Sequence, residues 1–175
     1  MKKNLRYVVL GFFLCFLGVI WSGCERSSLA REENFETYFP ITLGTQNITV
    51  RVALTDLERQ RGLTGCQSLA ENSGMLFIYP NEERRGFWMR GVPMGLSIGF
   101  FDSAGTLLES REMRANDLEV TYSRSEQVKF VLEMSSGWFS EHGIRAGTPL
   151  RLSELADAVS RRGFLPKKFE IYPEK

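Results

Sequence analysis

One histidine and three cysteines are all this 175-residue chain offers in metal-binding side chains. With His142 alone, no site built on two or three histidines can form within one copy. With only Cys15, Cys24 and Cys66, four-cysteine zinc sites and cysteine-ligated iron–sulfur clusters are excluded as well. No metal and no cofactor is expected. An excess of one charge is missing too: 22 basic residues face 21 acidic ones, a formal net charge of +1. That balance argues against nucleic acid as a partner, because such binders carry a basic stripe and a high pI. Apolar length is short for a bilayer span too: the apolar run Tyr7–Ile20 has fourteen residues, and even Tyr7–Gly23, at seventeen, is at the short limit for a spanning helix, which takes about 20; an uncleaved membrane anchor is the competing reading of this segment. What remains is enough chain for one globular domain plus extras. A chain near 150 residues buries roughly 68–70% of its unfolded surface, so disulfide staples are not required.

The amino terminus reads as an export signal. Lys2, Lys3 and Arg6 precede the apolar run Tyr7–Ile20, and small residues follow at Ser22-Gly23. A basic region, an apolar stretch of roughly 7–15 residues and a small-residue end define a secretory signal. Ser22-Gly23-Cys24 resembles the bacterial lipobox, in which two small residues precede a cysteine that takes a lipid; Trp21 stands where that motif usually has leucine. The expected product is a lipoprotein held on the extracytoplasmic side of a bacterial envelope membrane through Cys24. Removing residues 1–23 deletes three basic and no acidic residues, leaving 19 against 21 and a net charge of −2. Anchoring would then rest on acyl chains rather than on electrostatic attraction to the bilayer. Cys66 would be left unpaired; if Cys24 is not acylated, a Cys24–Cys66 disulfide becomes possible instead.

Four segments follow: a signal peptide over 1–23, a polar tether over 24–36, a mainly-β domain over 37–153, and a short helix with a C-terminal tail over 154–175. Phe39, Ile41 and Leu43, then Ile48, Val50 and Val52, alternate with polar residues around Gly44-Thr45-Gln46-Asn47. Period-two alternation about such a loop predicts a hairpin, and Pro40 puts its first strand at a sheet edge. Thr55-Asp56-Leu57-Glu58 predicts a capping box opening a short helix that Gly62 ends. Met75–Tyr79 is a continuous apolar run closed by Pro80-Asn81, hence a doubly buried strand. Val128, Phe130, Leu132 and Met134 alternate with Lys129, Val131 and Glu133, which predicts one apolar and one solvated face carrying a Lys129–Glu133 pair. Leu150 and Leu152 mark a last strand, and Ser153 would cap a helix over 153–162. The fold class expected is mainly β: a compact sandwich or partly open barrel of short strands with one or two short helices.

Arg61-Gly62-Leu63, Gly74-Met75-Leu76-Phe77, Phe87-Trp88-Met89-Arg90, Phe100-Phe101-Asp102, Leu132-Glu133 and Gly137-Trp138 occur in a distinctive order. The chain resembles, over about Thr49 to Leu152, the domain-of-unknown-function 192 family (uncharacterised protein family 0127). The resemblance implies a compact mainly-β domain, often exported, and no established activity. The family usually has a basic residue where Cys66 stands. After its Trp-Met-basic triplet it usually continues Asn-Thr and then Pro-Leu-Asp, positions that read Gly91, Val92, Gly95, Leu96 and Ser97 here. Apolar scaffold residues are kept while polar ones are replaced, which speaks against catalysis.

The ligand-binding candidates are Trp88, Arg90, Glu133 and Asp102, with Cys24 as the lipidation site. Arg90 offers a fork for a carboxylate or phosphate, against a surface role with its stem lying on the sheet. Trp88 and Trp138 could line a groove, although core packing is the default for large aromatics. Glu133 and Asp102 could form an acid pair as in glycosidases. Cys66 and His142 are weaker: a helix C-terminus does not activate a thiol, and His142 suits a helix end. The expectation is a non-catalytic envelope module binding a small ligand or an envelope protein. The alternative is an extracytoplasmic hydrolase using Glu133, Asp102 or Cys66.

Overall fold

The computed structural model describes residues 33–172. The signal peptide, Cys24 and most of the tether lie outside the described residues. The folded unit is built on one six-stranded sheet whose strands are β1 (Tyr38–Leu43), β2 (Gln46–Ala53), β3 (Ser73–Glu83), β5 (Leu96–Phe101), β6 (Leu107–Met113) and β8 (Val128–Ser135). Their spatial order is β1-β2-β3-β8-β5-β6, and a separate two-stranded ribbon pairs β4 (Gly86–Phe87) with β7 (Thr121–Tyr122). The sheet stays open, so the fold is mainly β and sandwich-like rather than a barrel.

The hairpin forms where alternation predicts it. Tyr38 pairs with Arg51 and Leu43 with Gln46, β1 lies at the sheet edge, and Phe39, Ile41 and Leu43 are all buried. β2 and β3 run parallel, so residues 54–72 must carry the chain back across the sheet. That crossover contains α1 (Asp56–Arg61), opened by the predicted capping box: Thr55 Oγ1 accepts from Glu58 N, and Glu58 accepts from Thr55 N and Leu54 N. Gly62 closes α1 with φ +46°, a left-handed value that suits glycine.

β3, β8 and β5 form the centre, and side chains from both of their faces are buried. One face carries Leu76, Phe130, Leu132 and Met134 beneath α3 (Leu152–Arg161) and a 3-10 turn, Pro166–Phe169. The opposite face carries Met75, Phe77, Ile98, Phe100 and Val131, covered by Leu63, Met89 and Val92 from loops. Two close approaches make this possible. A Cβ on Gly74 would stand 2.3 Å from the Glu133 carbonyl oxygen, and one on Gly99 2.6 Å from Phe139 of α2 (Trp138–Glu141).

Several expectations need correction. β3 does not stop at Pro80 but continues to Glu83 through a register shift against β8. The solvated face expected for Lys129 and Glu133 does not exist, because β8 is central and both side chains are buried. Lys129 is 0% exposed and donates to Pro80 O and to Glu170, at 2.6 Å each, so Glu133 is not its partner. Leu152 belongs to α3, whose N-cap is Arg151 rather than Ser153, and Leu150 makes only an isolated bridge to Leu43. Phe164–Ile171 is no free tail: Phe169 and Ile171 are built into the core. The helix end expected at His142 is there: α2 opens at Gly137 and His142 is its C-cap. Among the described residues no helix is long and apolar enough to cross a membrane.

Candidate functional site

Between α1 and the sheet lies a cavity of about 610 Å³. Its floor is the sheet face at Phe77, Tyr79 and Glu133; its roof is α1 and the following loop, through Arg59, Gln60, Arg61 and Thr64; Phe87 and Trp88 close the side. The roof loop is fastened to the Trp88 segment by the Gly65 N–H, which donates to Gly91 O at 2.8 Å. Gly91 has φ +72°, so this turn too sits where glycine is at ease.

Glu133 is the unusual member. It is 4% exposed, and its cross-strand neighbours are Met75 on β3 and Ile98 on β5, both fully buried. No hydrogen bond or opposite charge meets its carboxyl among the described residues, and burial pushes its pKa up to about 8. The group is therefore mostly protonated at neutral pH. Neither Glu133 oxygen is among the fully buried atoms that lack a partner, so the carboxyl opens on the cavity with no protein partner among the described residues.

The cations near it are already engaged. Arg59 donates from Nη1 to Leu54 O and Ile78 O, at 2.8 Å each, and from Nη2 to Asp56 at 2.5 Å. Arg61 pairs with Glu36 at 2.9 Å. Arg85 pairs with Glu83 and lies with its guanidinium carbon 3.6 Å from the Tyr79 ring centre, while Arg59 sits 4.9 Å from the same centre. Burial pushes the Tyr79 phenol up to about 12 and the Arg85 guanidinium down to about 10. The aromatic wall is coherent: Phe87 stands edge-on to Phe77, with ring centres 5.0 Å apart.

The sequence-derived candidates separate into two groups. Trp88 and Glu133 line the same cavity. Trp88 is 53% exposed, so core packing, the default for such a ring, does not describe it; Trp138 is the buried one. Arg90 does not line the cavity but is exposed, its guanidinium carbon 4.8 Å from the Trp88 ring centre. Asp102 is elsewhere, accepting from Thr106 N at 2.8 Å in the turn between β5 and β6. Cys66 is half-buried and donates to Ser68 O at 3.2 Å. His142 is held at the end of α2, its Nδ1 2.8 Å from Trp138 O and its ring stacked on Trp138. No pair of acids and no thiol–imidazole pair is assembled from these residues. Ser97, one of the positions departing from the family pattern, is fully buried and hydrogen-bonded to Glu112 and to Gly137 N.

Sequence reasoning did not single out Phe77, Tyr79, Phe87, Arg59 or Gln60 for the site. The capping box places α1 but gives no sign of what α1 covers. A second cavity, of about 450 Å³ beside the start of α3, is lined by one charged side chain, Arg151, which pairs with Glu154. No group of three or more acidic, cysteine or histidine side chains suited to a metal occurs among the described residues.

Residues 39–152 match the model of a family described as Uncharacterized ACR, COG1430 (DUF192). The fold is similar to a crystal structure of a candidate transcription regulator from Sinorhizobium meliloti 1021, with a TM-score of 0.63 and 25% identity, covering 67% of this chain and 95% of that one. It is similar also to a protein of unknown function from Novosphingobium aromaticivorans DSM 12444, with a TM-score of 0.61 and 24% identity, covering 65% and 84%. No curated protein matches the chain.

Proposed function

The chain belongs to the domain-of-unknown-function 192 family, whose name carries no activity, and we propose from the cavity itself that it is a non-catalytic binding module for a small organic ligand. One observation carries this reading: an acid that is 4% exposed and has no partner among the described residues lines an aromatic-walled cavity of about 610 Å³. Apolar walls with few, well-placed polar groups are the common form of a small-molecule site. Catalysis through Glu133 would call on a second group for proton transfer, and the Tyr79 phenol beside it on the cavity floor, pushed up to about 12 by burial, keeps its proton at neutral pH. Asp102 and Cys66, the alternatives to Glu133 for a hydrolase, do not line the cavity.

Trp88 supplies the assay. It is the tryptophan on the cavity wall, so a bound molecule should change its emission, and Trp88→Phe removes that signal while leaving Trp138 in place. Small organic compounds screened against the full-length chain should include binders whose affinity changes in Glu133→Gln. A complete screen in which no compound alters Trp88 emission, or in which every binder ignores Glu133→Gln, overturns the proposal.

We also propose that the module works on the extracytoplasmic side of a bacterial envelope membrane, held by lipid on Cys24. The support is the basic start, the fourteen-residue apolar run and Ser22-Gly23-Cys24. Cys24→Ala should move the protein from the membrane to the soluble fraction; full retention would indicate an uncleaved apolar anchor. The regulator description of the Sinorhizobium relative finds no support in a net charge of +1.

A further inference from the structure

We infer, resting on the binding-module reading, that the ligand is an organic monocation whose ammonium group seats against Glu133 with its carbon substituents on Phe77, Phe87 and Trp88. Three observations converge. The first is the carboxyl itself, buried, unpartnered and lining the cavity. A buried carboxylate needs an opposite charge, and the described residues supply none. From the roof, Arg59 is held by Asp56 and two carbonyls, and Arg61 by Glu36. On β3 the titratable group is the Tyr79 phenol, with the guanidinium of Arg85 against its ring and Glu83 on that guanidinium. On β8 the cation is Lys129, already bound to Glu170 and Pro80 O. β5 contributes Ile98 and no charge opposite Glu133.

The second observation is the wall. Phe77, Tyr79, Phe87 and Trp88 line one cavity with the acid. Aromatic faces attract a cation through the ring quadrupole, by about 0.5–2 kcal/mol each depending on desolvation, and cages of such rings recognise alkylammonium groups. The third is that this protein already uses the same pairing on its own cations: Arg59 and Arg85 lie against the Tyr79 ring and Arg90 against Trp88. A carboxyl without a counter-ion among such rings is the complement of an ammonium group.

Binding then moves a proton. The protonated Glu133 releases H⁺ to solvent as the ammonium enters, leaving a carboxylate–ammonium pair. With a folded pKa of about 8, the apparent affinity for a permanently charged ligand should be roughly 50-fold weaker at pH 6 than at pH 8 and nearly flat above pH 9. A neutral ligand that accepts a hydrogen bond from the protonated acid would show the opposite trend, weakening as the pH passes 8.

Choline and its uncharged carbon isostere, 3,3-dimethylbutan-1-ol, separate these cases when titrated into the full-length chain and followed by Trp88 emission and calorimetry at pH 6, 7 and 8. The expected result is choline binding that tightens with pH by the stated factor, an isostere at least tenfold weaker at pH 8, and loss of the pH dependence in Glu133→Gln. Glu133→Gln should fold, since it removes a buried titrating group and adds no bulk. An isostere that binds as well as choline, or choline binding that weakens as pH rises, overturns the cation while leaving the module intact. No choline binding at millimolar concentration also overturns the cation; whether the module falls with it is decided by the neutral compounds of the separate screen.

Discussion

Substituting Glu133 by Gln should stabilise the protein, and by an amount that depends on pH. A carboxyl whose pKa is higher in the folded chain than in the unfolded one contributes stability below its unfolded value and loses it as pH rises through the folded value. For Glu133 those values are 4.5 and about 8. Each unit of difference is worth about 1.4 kcal/mol. The wild-type chain should therefore lose about 3 kcal/mol from this group between pH 4 and pH 7, and about 5 kcal/mol by pH 9. Glutamine keeps the shape and the unsatisfied polar end but does not ionise, so comparing the two chains isolates the charge. Urea denaturation of both, from pH 4.5 to 9, should give nearly equal stabilities at the acid end and a gap of about 3 kcal/mol at neutrality. At roughly 3 °C per kcal/mol for a domain of this size, that gap is about 10 °C in Tm. Parallel stability curves across the range would mean that Glu133 is solvated or already paired, and the reasoning about the cavity would fail with it.

The Lys129–Glu170 contact should respond asymmetrically. Lys129→Met removes a buried charge and leaves Glu170, which faces solvent, so its cost should be within about 1 kcal/mol, whereas Glu170→Gln leaves the buried ammonium on Pro80 O without a counter-charge and should cost about 3 kcal/mol in urea melts. Gly74→Ala should destabilise by about 3 kcal/mol, because its new Cβ would meet the Glu133 carbonyl oxygen at 2.3 Å and force β3 away from β8. Thr55→Ala removes the hydroxyl that caps α1 and should cost about 1 kcal/mol; a thermal melt unchanged from wild type would show that α1 does not depend on its cap.

Features decided by neighbouring residues were legible. Alternation about Gly44 places the first hairpin, Thr55 and Glu58 open α1 as their spacing requires, and the run Met75–Tyr79 forms a doubly buried strand. Features decided by distant contacts were not. Lys129 and Glu133 look like an outer face because polar residues alternate with apolar ones, but β8 lies between β3 and β5, Lys129 is covered by Glu170 beside the 3-10 turn, and Glu133 lies under the roof of the cavity. Period two cannot report whether a second layer exists. Ser153 is not the helix start: the chain already turns helical at Leu152, two residues before the Glu154 at which a Ser153 cap would begin the helix. Of the site, Trp88 and Glu133 could be named from the sequence, but their meeting in one cavity depends on a crossover and three strands. Asp102 carries no signal separating a turn-closing acid from a functional one, and in the fold it closes a turn.

The parallel pairing of β2 with β3 has a consequence for how such proteins diversify. The segment obliged to return across the sheet is also the ceiling of the chamber, and four of its side chains, Asp56, Gln60, Arg61 and Thr64, border the chamber while remaining exposed. α1 buries no residue of its own. If the chamber is the binding site proposed above, substitution at those sites would retune which guest is admitted without disturbing the interior, while the acid beneath stays clamped between two flanking strands. Selectivity and foldability would then reside in separable stretches of the same chain.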